Sequence, residues 1–259
     1  MNGTIVLAHG LFGFGDLVPG FQALNYFNGV ADLITQTGKF KVFAPQVDPV
    51  GSIQFRGDTL AKAILSEPGL VDPLHIIAHS MGGLDARHVI THRPDVSPRI
   101  ATLVTIGTPH AGSQVADVIV DDTNPLIAPL VQKLPKRLTS EIDALNNLTT
   151  AFCTQFNKTT ADQLDKVRYF NIAGDASHAD SELAVLKLAA TIGGIKEIND
   201  GVVTRKSALR DCNIHLDDWP VDHLGEIGWS LTTVSLDSAR RKQALQAHLD
   251  RYQAILDLL

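Results

Sequence analysis

Two cysteines in a chain of 259 residues leave sulfur little to do. Cys153 and Cys212 match no metal-ligand spacing, which argues against a thiolate metal centre. They read as free buried thiols, with a single disulfide as the alternative. Basic clusters are lacking as well. The formal net charge is −6 and no Lys/Arg patch stands out, so no nucleic-acid partner is expected. A long apolar run is also missing. The longest, around Leu183 to Ile195, is interrupted by Lys187 and is too short to span a bilayer, which leaves no transmembrane segment. No secretory signal precedes the first strand. The expectation is a cytoplasmic protein, or a secreted one whose export signal has been removed. Internal repeats and low-complexity tracts do not occur.

What is present is an apolar fraction of 44%, ample for a core and arranged in short runs. Thr4 to Ala8, Phe40 to Pro45, Leu74 to Ala78, Ile100 to Ile106 and Val167 to Ala173 read as strands. Helix-like stretches such as Gln54 to Ser66 separate them. This alternation predicts an α/β fold with a mostly parallel central sheet covered by helices on both faces, and the length fits a single domain, 1–259. In such sheets ligands sit beyond the carboxyl ends of the strands. His9, Ser80, Thr108 and Asp175 all fall just past such ends. A final helix, about Ser238 to Leu258, places Leu245, Leu249, Tyr252, Ile255, Leu256 and Leu259 on one side, as a helix docked on the sheet would.

The segment Ala78-His79-Ser80-Met81-Gly82-Gly83 is the most informative. It joins a buried strand to a helix, the setting of a nucleophile elbow. The turn strains the serine backbone, so the residues two places before and after must be small, as Ala78 and Gly82 are. Near the N-terminus a second strand runs into His9-Gly10-Leu11-Phe12-Gly13. In acyl-transfer enzymes of this layout one oxyanion-hole amide follows the nucleophile and the other comes from an earlier strand-end loop. Here those amides belong to Met81 and Leu11. Backbone N–H groups suit the task because they are fixed before charge appears on the carbonyl oxygen. Both segments in one chain, in this order, point to a serine hydrolase.

The serine needs a base, and the base needs an acid that holds its tautomer. Chain order places them after Ser80, acid first. His88 and His92 point away from the turn, His110 precedes any acid candidate, and His248 sits inside the last helix. His215 and His223 fall where the base belongs, and His223 is preferred, flanked by Asp222 and by Leu224-Gly225. For the acid, Asp200 and Asp175 both qualify, and position alone barely separates them.

Between Ile106 and Val167 the rhythm breaks. Pro125, Pro129 and Pro135 punctuate an apolar stretch containing Leu126, Ile127, Leu130 and Val131. Loops this long are functional or disordered, and this one is too apolar for disorder. It predicts a helical lid or cap inserted at about 113–160, with a permanently packed helical insert as the alternative.

These motifs resemble the α/β-hydrolase lipases of the Pseudomonas/Burkholderia type, over most of the chain. Ile5 to Phe14 is similar to that family's first strand and oxyanion loop. Arg56-Gly57 resembles its Arg-Gly pair, whose arginine braces that loop. Ile106 to Ser113 is similar to its Pro-His-x-Gly-Ser loop. The resemblance implies that Asn199 to Val203 carries the acid, favouring Asp200 over Asp175, and that His223-Leu224 carries the base. It also implies a helical lid that opens at lipid surfaces. The chain departs from the pattern at Ala78 and Met81, where these lipases commonly have glycine and histidine. The family's structural calcium takes an aspartate two residues after the catalytic histidine. Gly225 stands there, so no cofactor is expected, although Asp180 matches a more distant ligand. Cys153 matches no position of the family disulfide. What then holds the His223 loop is not evident from the residues.

The expected activity is carboxylic ester hydrolysis, foremost of acylglycerols, with Ser80, His223 and Asp200 as nucleophile, base and acid. A small-molecule or lipid ester is the expected partner, with transient lipid-surface contact through the lid. A short-chain esterase, an acyltransferase and a non-catalytic binding protein on a hydrolase scaffold are the rivals.

Overall fold

Alternation along the strands builds two cores, one on each side of a single sheet. The computed structural model describes residues 2–11, 23–121, 143–178, 191, 194–211, 213–230 and 237–259. Its strands are β1 (Thr4–Ala8), β2 (Lys41–Phe43), β3 (Leu74–His79), β4 (Ile100–Ile106), β5 (Arg168–Ile172) and β6 (Ile214–His215). They form a six-stranded sheet in the order β2-β1-β3-β4-β5-β6, and every neighbouring pair is parallel. The helices named below are α1 (Val30–Thr37), α2 (Ile53–Ser66), α3 (Met81–His92), α4 (Gln114–Val120), α5 (Asp143–Asn147), α6 (Thr150–Thr159) and α7 (Ser238–Leu256).

Successive strand side chains point to opposite faces, and the packing follows. Ile5, Leu7, Ile77, Val104, Ile106, Phe170 and Ile172 share one cluster with Val30 and Ile34 of α1 and Tyr252, Ile255 and Leu256 of α7. Val6, Ala8, Leu74, Ile76, Ala78, Leu103 and Tyr169 share the other with Leu60 and Ile64 of α2 and Val89 and Ile90 of α3. The last helix therefore docks as its spacing predicts, although Leu245 stays half-buried. The strand order reverses direction between β1 and β3. A crevice opens at the carboxyl ends of strands at such a switch point, and His9, Gly10, Leu11 and Ser80 stand there.

A third cluster covers this end of the sheet. Met81 and Leu84 of α3 pack with Ile53 of α2, Ala116 of α4, Ala144 of α5, and Cys153 and Phe156 of α6, with Leu11 against them. The flanks of the 113–160 insertion are thus fixed to the body. Asp117 ties them together, taking the Thr150 amide at 2.9 Å and its hydroxyl at 2.8 Å. The expected lid residues Leu126, Ile127, Leu130 and Val131 lie outside the described residues, as do Cys212 and Asp180. Cys153 is a buried free thiol, and burial, foremost, pushes it up to about 12.

Phe27 is fully buried, edge-on to Tyr26 and Tyr252 at ring separations of 5.1 and 6.2 Å. Truncating such a ring removes its transfer free energy and leaves a cavity. Phe27→Ala should cost about 3–5 kcal/mol, read as a lowered midpoint in urea denaturation.

Candidate active site

The turn after β3 holds Ser80 at φ 55° and ψ −130°. Among the described residues it is the only non-glycine with positive φ, as a nucleophile elbow requires. Positions 82 and 83 are glycine because backbone and side-chain atoms crowd them. A Cβ on Gly82 would lie 2.4 Å from the Ala8 carbonyl oxygen, and one on Gly83 would lie 2.2 Å from Thr108 Oγ1. Thr108 Oγ1 in turn donates to the Ser80 carbonyl at 2.9 Å. Alanine is tolerated at 78 because its methyl belongs to the second core, beside Ala8 and Ala86. Methionine suits position 81 because its side chain is buried in the third cluster.

His223 Nε2 lies 2.9 Å from Ser80 Oγ, and its Nδ1 lies 2.7 Å from Asp200 Oδ2. Asp200 is locked from its other side. Its Oδ1 accepts the Val202 and Val203 amides at 2.8 and 2.6 Å, and its own carbonyl accepts the His223 amide at 2.9 Å. The structure thus brings Ser80, His223 and Asp200 into one hydrogen-bonded chain. The alternatives fall elsewhere. Asp175 takes the Ser177 amide, and His215 sits on the edge strand against the Arg210 carbonyl. His110 is buried between Thr105, Asn171 and Arg87. His248 packs under α7 with its Nε2 on the Asn28 carbonyl.

Arg56 braces the loop after β1. Fully buried, its Nη2 donates to the carbonyls of His9 at 2.8 Å and Gly10 at 3.2 Å, while Nη1 donates to the Asp48 carbonyl. Its Nε pairs with Asp85 Oδ2 of α3 at 2.8 Å. Burial raises Asp85 to about 6 against the pull of Arg56. His9 completes the brace, since its Nε2 accepts the Val47 amide at 3.1 Å and its Nδ1 lies 2.9 Å from the Gly10 carbonyl. Burial and then Arg56 lower it to about 4, so it is a neutral spacer. Leu11 packs against the third cluster, of which Met81 is a member. The Met81 amide opens α3, where N–H groups have no intrahelical acceptor.

One group at the site was not singled out in the sequence. Glu226 is fully buried, with Oε2 3.0 Å from His79 Nε2 and 3.3 Å from His223 Nδ1. His79 Nε2 also lies 3.0 Å from the His223 carbonyl. A carbonyl only accepts, so Nε2 carries the proton, and Nδ1 accepts from the Tyr26 hydroxyl at 2.7 Å. Glycines make room for the carboxyl. A Cβ on Gly107 would meet Oε2 at 2.1 Å, and one on Gly174 would meet Oε1 at 2.5 Å. The spacing of Glu226, three residues after the base, is the cue available in the sequence. Lying in a loop, it reads there as an ordinary surface charge.

Hydrogen bonds hold the His223 loop. Asp222 Oδ1 accepts the Gly225 amide at 2.6 Å, and Tyr252 Oη donates to the Glu226 carbonyl at 3.0 Å. Gly225 offers no side-chain ligand, and a Cβ there would crowd Val221 and Asp222 at 2.9 and 3.1 Å. The described residues around it do not fit a calcium site of the resembled kind. His79, His223 and Glu226 do present clustered donor atoms, but these already bond to one another.

Burial, and next the charge of Asp200, raises Glu226 to about 8. For His223, burial acts downward, and the Asp200 charge and hydrogen bond followed by Glu226 outweigh it, so the net direction is upward. The carboxyl and the imidazole compete for one proton. Removing the Glu226 charge should make the imidazolium harder to form. In Glu226→Gln the acid limb of the pH profile of kcat/KM should therefore move to lower pH.

Residues 66–192 match the PGAP1-like alpha/beta domain. A triacylglycerol lipase of Vibrio cholerae is 29% identical over 95% of this chain and 86% of its own. A yeast protein, triacylglycerol lipase 2 of Saccharomyces cerevisiae, is 33% identical over 57% of this chain and 45% of its own. Among solved structures, the mature Bacillus licheniformis lipase BlEst2 superposes with a TM-score of 0.69 at 25% identity, covering 87% of this chain and 86% of that one. Parallel sheet and elbow define an α/β-hydrolase, of the serine ester hydrolase class. Within that class its relatives include triacylglycerol lipases of Vibrio cholerae, Pseudomonas fragi and Burkholderia plantarii, at 29%, 33% and 30% identity.

Proposed function

We propose that the protein hydrolyses acylglycerol esters through an acyl-enzyme on Ser80. The hydrogen-bonded chain from Ser80 Oγ through His223 to Asp200, at 2.9 and 2.7 Å, carries this reading. His223 Nε2 takes the hydroxyl proton as Oγ attacks the ester carbonyl. Asp200 keeps Nδ1 protonated, leaving Nε2 free to accept, and steadies the imidazolium that forms. The amides of Leu11 and Met81 stabilise the oxyanion, and Arg56 keeps the Leu11 loop from sagging away from them. His223 then returns the proton to the leaving alcohol, and water repeats the cycle on the acyl-enzyme. A lid on the 113–160 insertion belongs to the same reading, hinged between the two flanks that Asp117 and Thr150 hold together.

Triad members act as a unit. Ser80→Ala and His223→Ala should each lower turnover at least about 1,000-fold while circular dichroism stays that of the parent. Rates on esters from short to long acyl chains distinguish the rivals. A sharp rise once a long-chain substrate forms droplets supports the lipase, and smooth saturation through the solubility limit supports a short-chain esterase.

No cofactor enters this mechanism. The lack of a side-chain ligand at Gly225 and the direct bonds of Asp222 and Tyr252 support a loop that works without calcium. Excess EGTA should leave both turnover and melting temperature unchanged. A fall in either would place a calcium ion back in the structure.

A further inference from the structure

The middle of α2 and the C-terminal half of α3 carry a group of side chains that ester hydrolysis does not use. His88 and His92 lie one turn apart on α3, their rings tilted at 39° with centroids 4.9 Å apart. Asp58 of α2 faces them, its Oδ1 3.7 Å from His88 Nε2. All three line one open groove of about 620 Å³. His88 reaches this position because α2 has no side chain at Gly57, where a Cβ would lie 2.7 Å from the His88 ring.

We propose that His88, His92 and Asp58 form a binding site for a divalent transition-metal ion of the zinc class. Two histidines at i and i+4 on one helix face offer their rings to a single ion, and nitrogen with carboxylate oxygen is a donor set that suits zinc. At metal–ligand bonds of roughly 2.1 Å, two ligands of a tetrahedral ion stand about 3.4 Å apart. The 3.7 Å between His88 Nε2 and Asp58 Oδ1 is close to that span. Burial, then His92, lowers His88 from its ordinary value, which favours the neutral ring a metal requires.

Two contacts must give way, and both can. His92 Nε2 lies 3.3 Å from Thr160 Oγ1, and this exposed ring can turn toward the groove. Arg93 shares Asp58 with His88 at 3.2 Å, but it has a second partner in Asp95, at 2.6 and 3.0 Å, so recruiting Asp58 does not strand its charge. The groove leaves room for water or a small anion on the ion's open side. An ion here would cross-link α2 and α3 one turn beyond the Arg56–Asp85 pair.

The test is zinc titration of the untagged protein by calorimetry, with melting temperature as the second readout. Wild type should bind one zinc ion and melt at higher temperature with zinc present, because a ligand that binds only the folded state stabilises it. His92→Gln, on an exposed ring that touches His88 and Thr160, should weaken binding at least about tenfold and abolish the thermal shift. Asp58→Asn should weaken it less, and His215→Gln should change nothing. Absence of heat and of thermal shift in wild type at millimolar zinc overturns the proposal. So does undiminished binding in His92→Gln. Binding that disappears when Ser80 is phosphonylated would instead place the ion at His79, His223 and Glu226, and would overturn it too.

Discussion

A serine can stand in the left-handed region of the backbone map only where nothing around it is bulky, and much of this molecule answers to that constraint. With Ser80 at φ 55°, the turn presses against the Ala8 carbonyl and Thr108. That pressure dictates glycine at 82 and 83 and small side chains where β1 and β3 run side by side, Ala8 against Ala78. The strained turn is held by what surrounds it. The Ser80 amide bonds to the Ile106 carbonyl and its carbonyl accepts from Thr108, so β4 supports the nucleophile of β3. Strain of this kind persists at a functional site when neighbouring structure over-determines it.

The second organising element is the buried carboxyl of Glu226. It receives His79 from the elbow and His223 from the loop, and its backbone is tied to α7 through Tyr252. Parts of the chain far apart in sequence are therefore joined at one oxygen atom. Its partner oxygen, Oε1, has no hydrogen-bond partner among the described residues, and an orphaned buried oxygen disfavours the charged form. The loop is steadied by hydrogen bonds that terminate in the chain's own last helix.

The strands and the nucleophile were legible because their patterns are local. The runs at Thr4, Leu74, Ile100 and Val167 became β1, β3, β4 and β5, and the elbow and His-Gly segments stood at their ends. β6 escaped notice because Ile214 and His215 are exposed on the sheet edge and carry no apolar alternation. Of the two acid candidates only Asp200 reaches His223. Choosing between them needed the resemblance, because the decisive contact joins residues 23 apart in a loop-rich stretch. Tyr26, His79 and Glu226 were not singled out for the same reason. Their roles depend on burial, which for an isolated polar residue no periodicity reports. Cys153 and Phe156 anchor the far end of the apolar excursion in the body, a detail that composition does not report.

The bridge between Asp117 and Thr150 has an implication for how such enzymes diversify. It closes the base of the insertion independently of what lies between. Once the two ends of a flexible loop are pinned, doubling its length costs only about 0.6 kcal/mol of closure entropy. Segments so pinned can gain, lose or exchange residues over evolutionary time at little thermodynamic expense. The length and composition of the insertion can thus drift from lineage to lineage, while the sheet, the elbow and the buried proton network stay as they are.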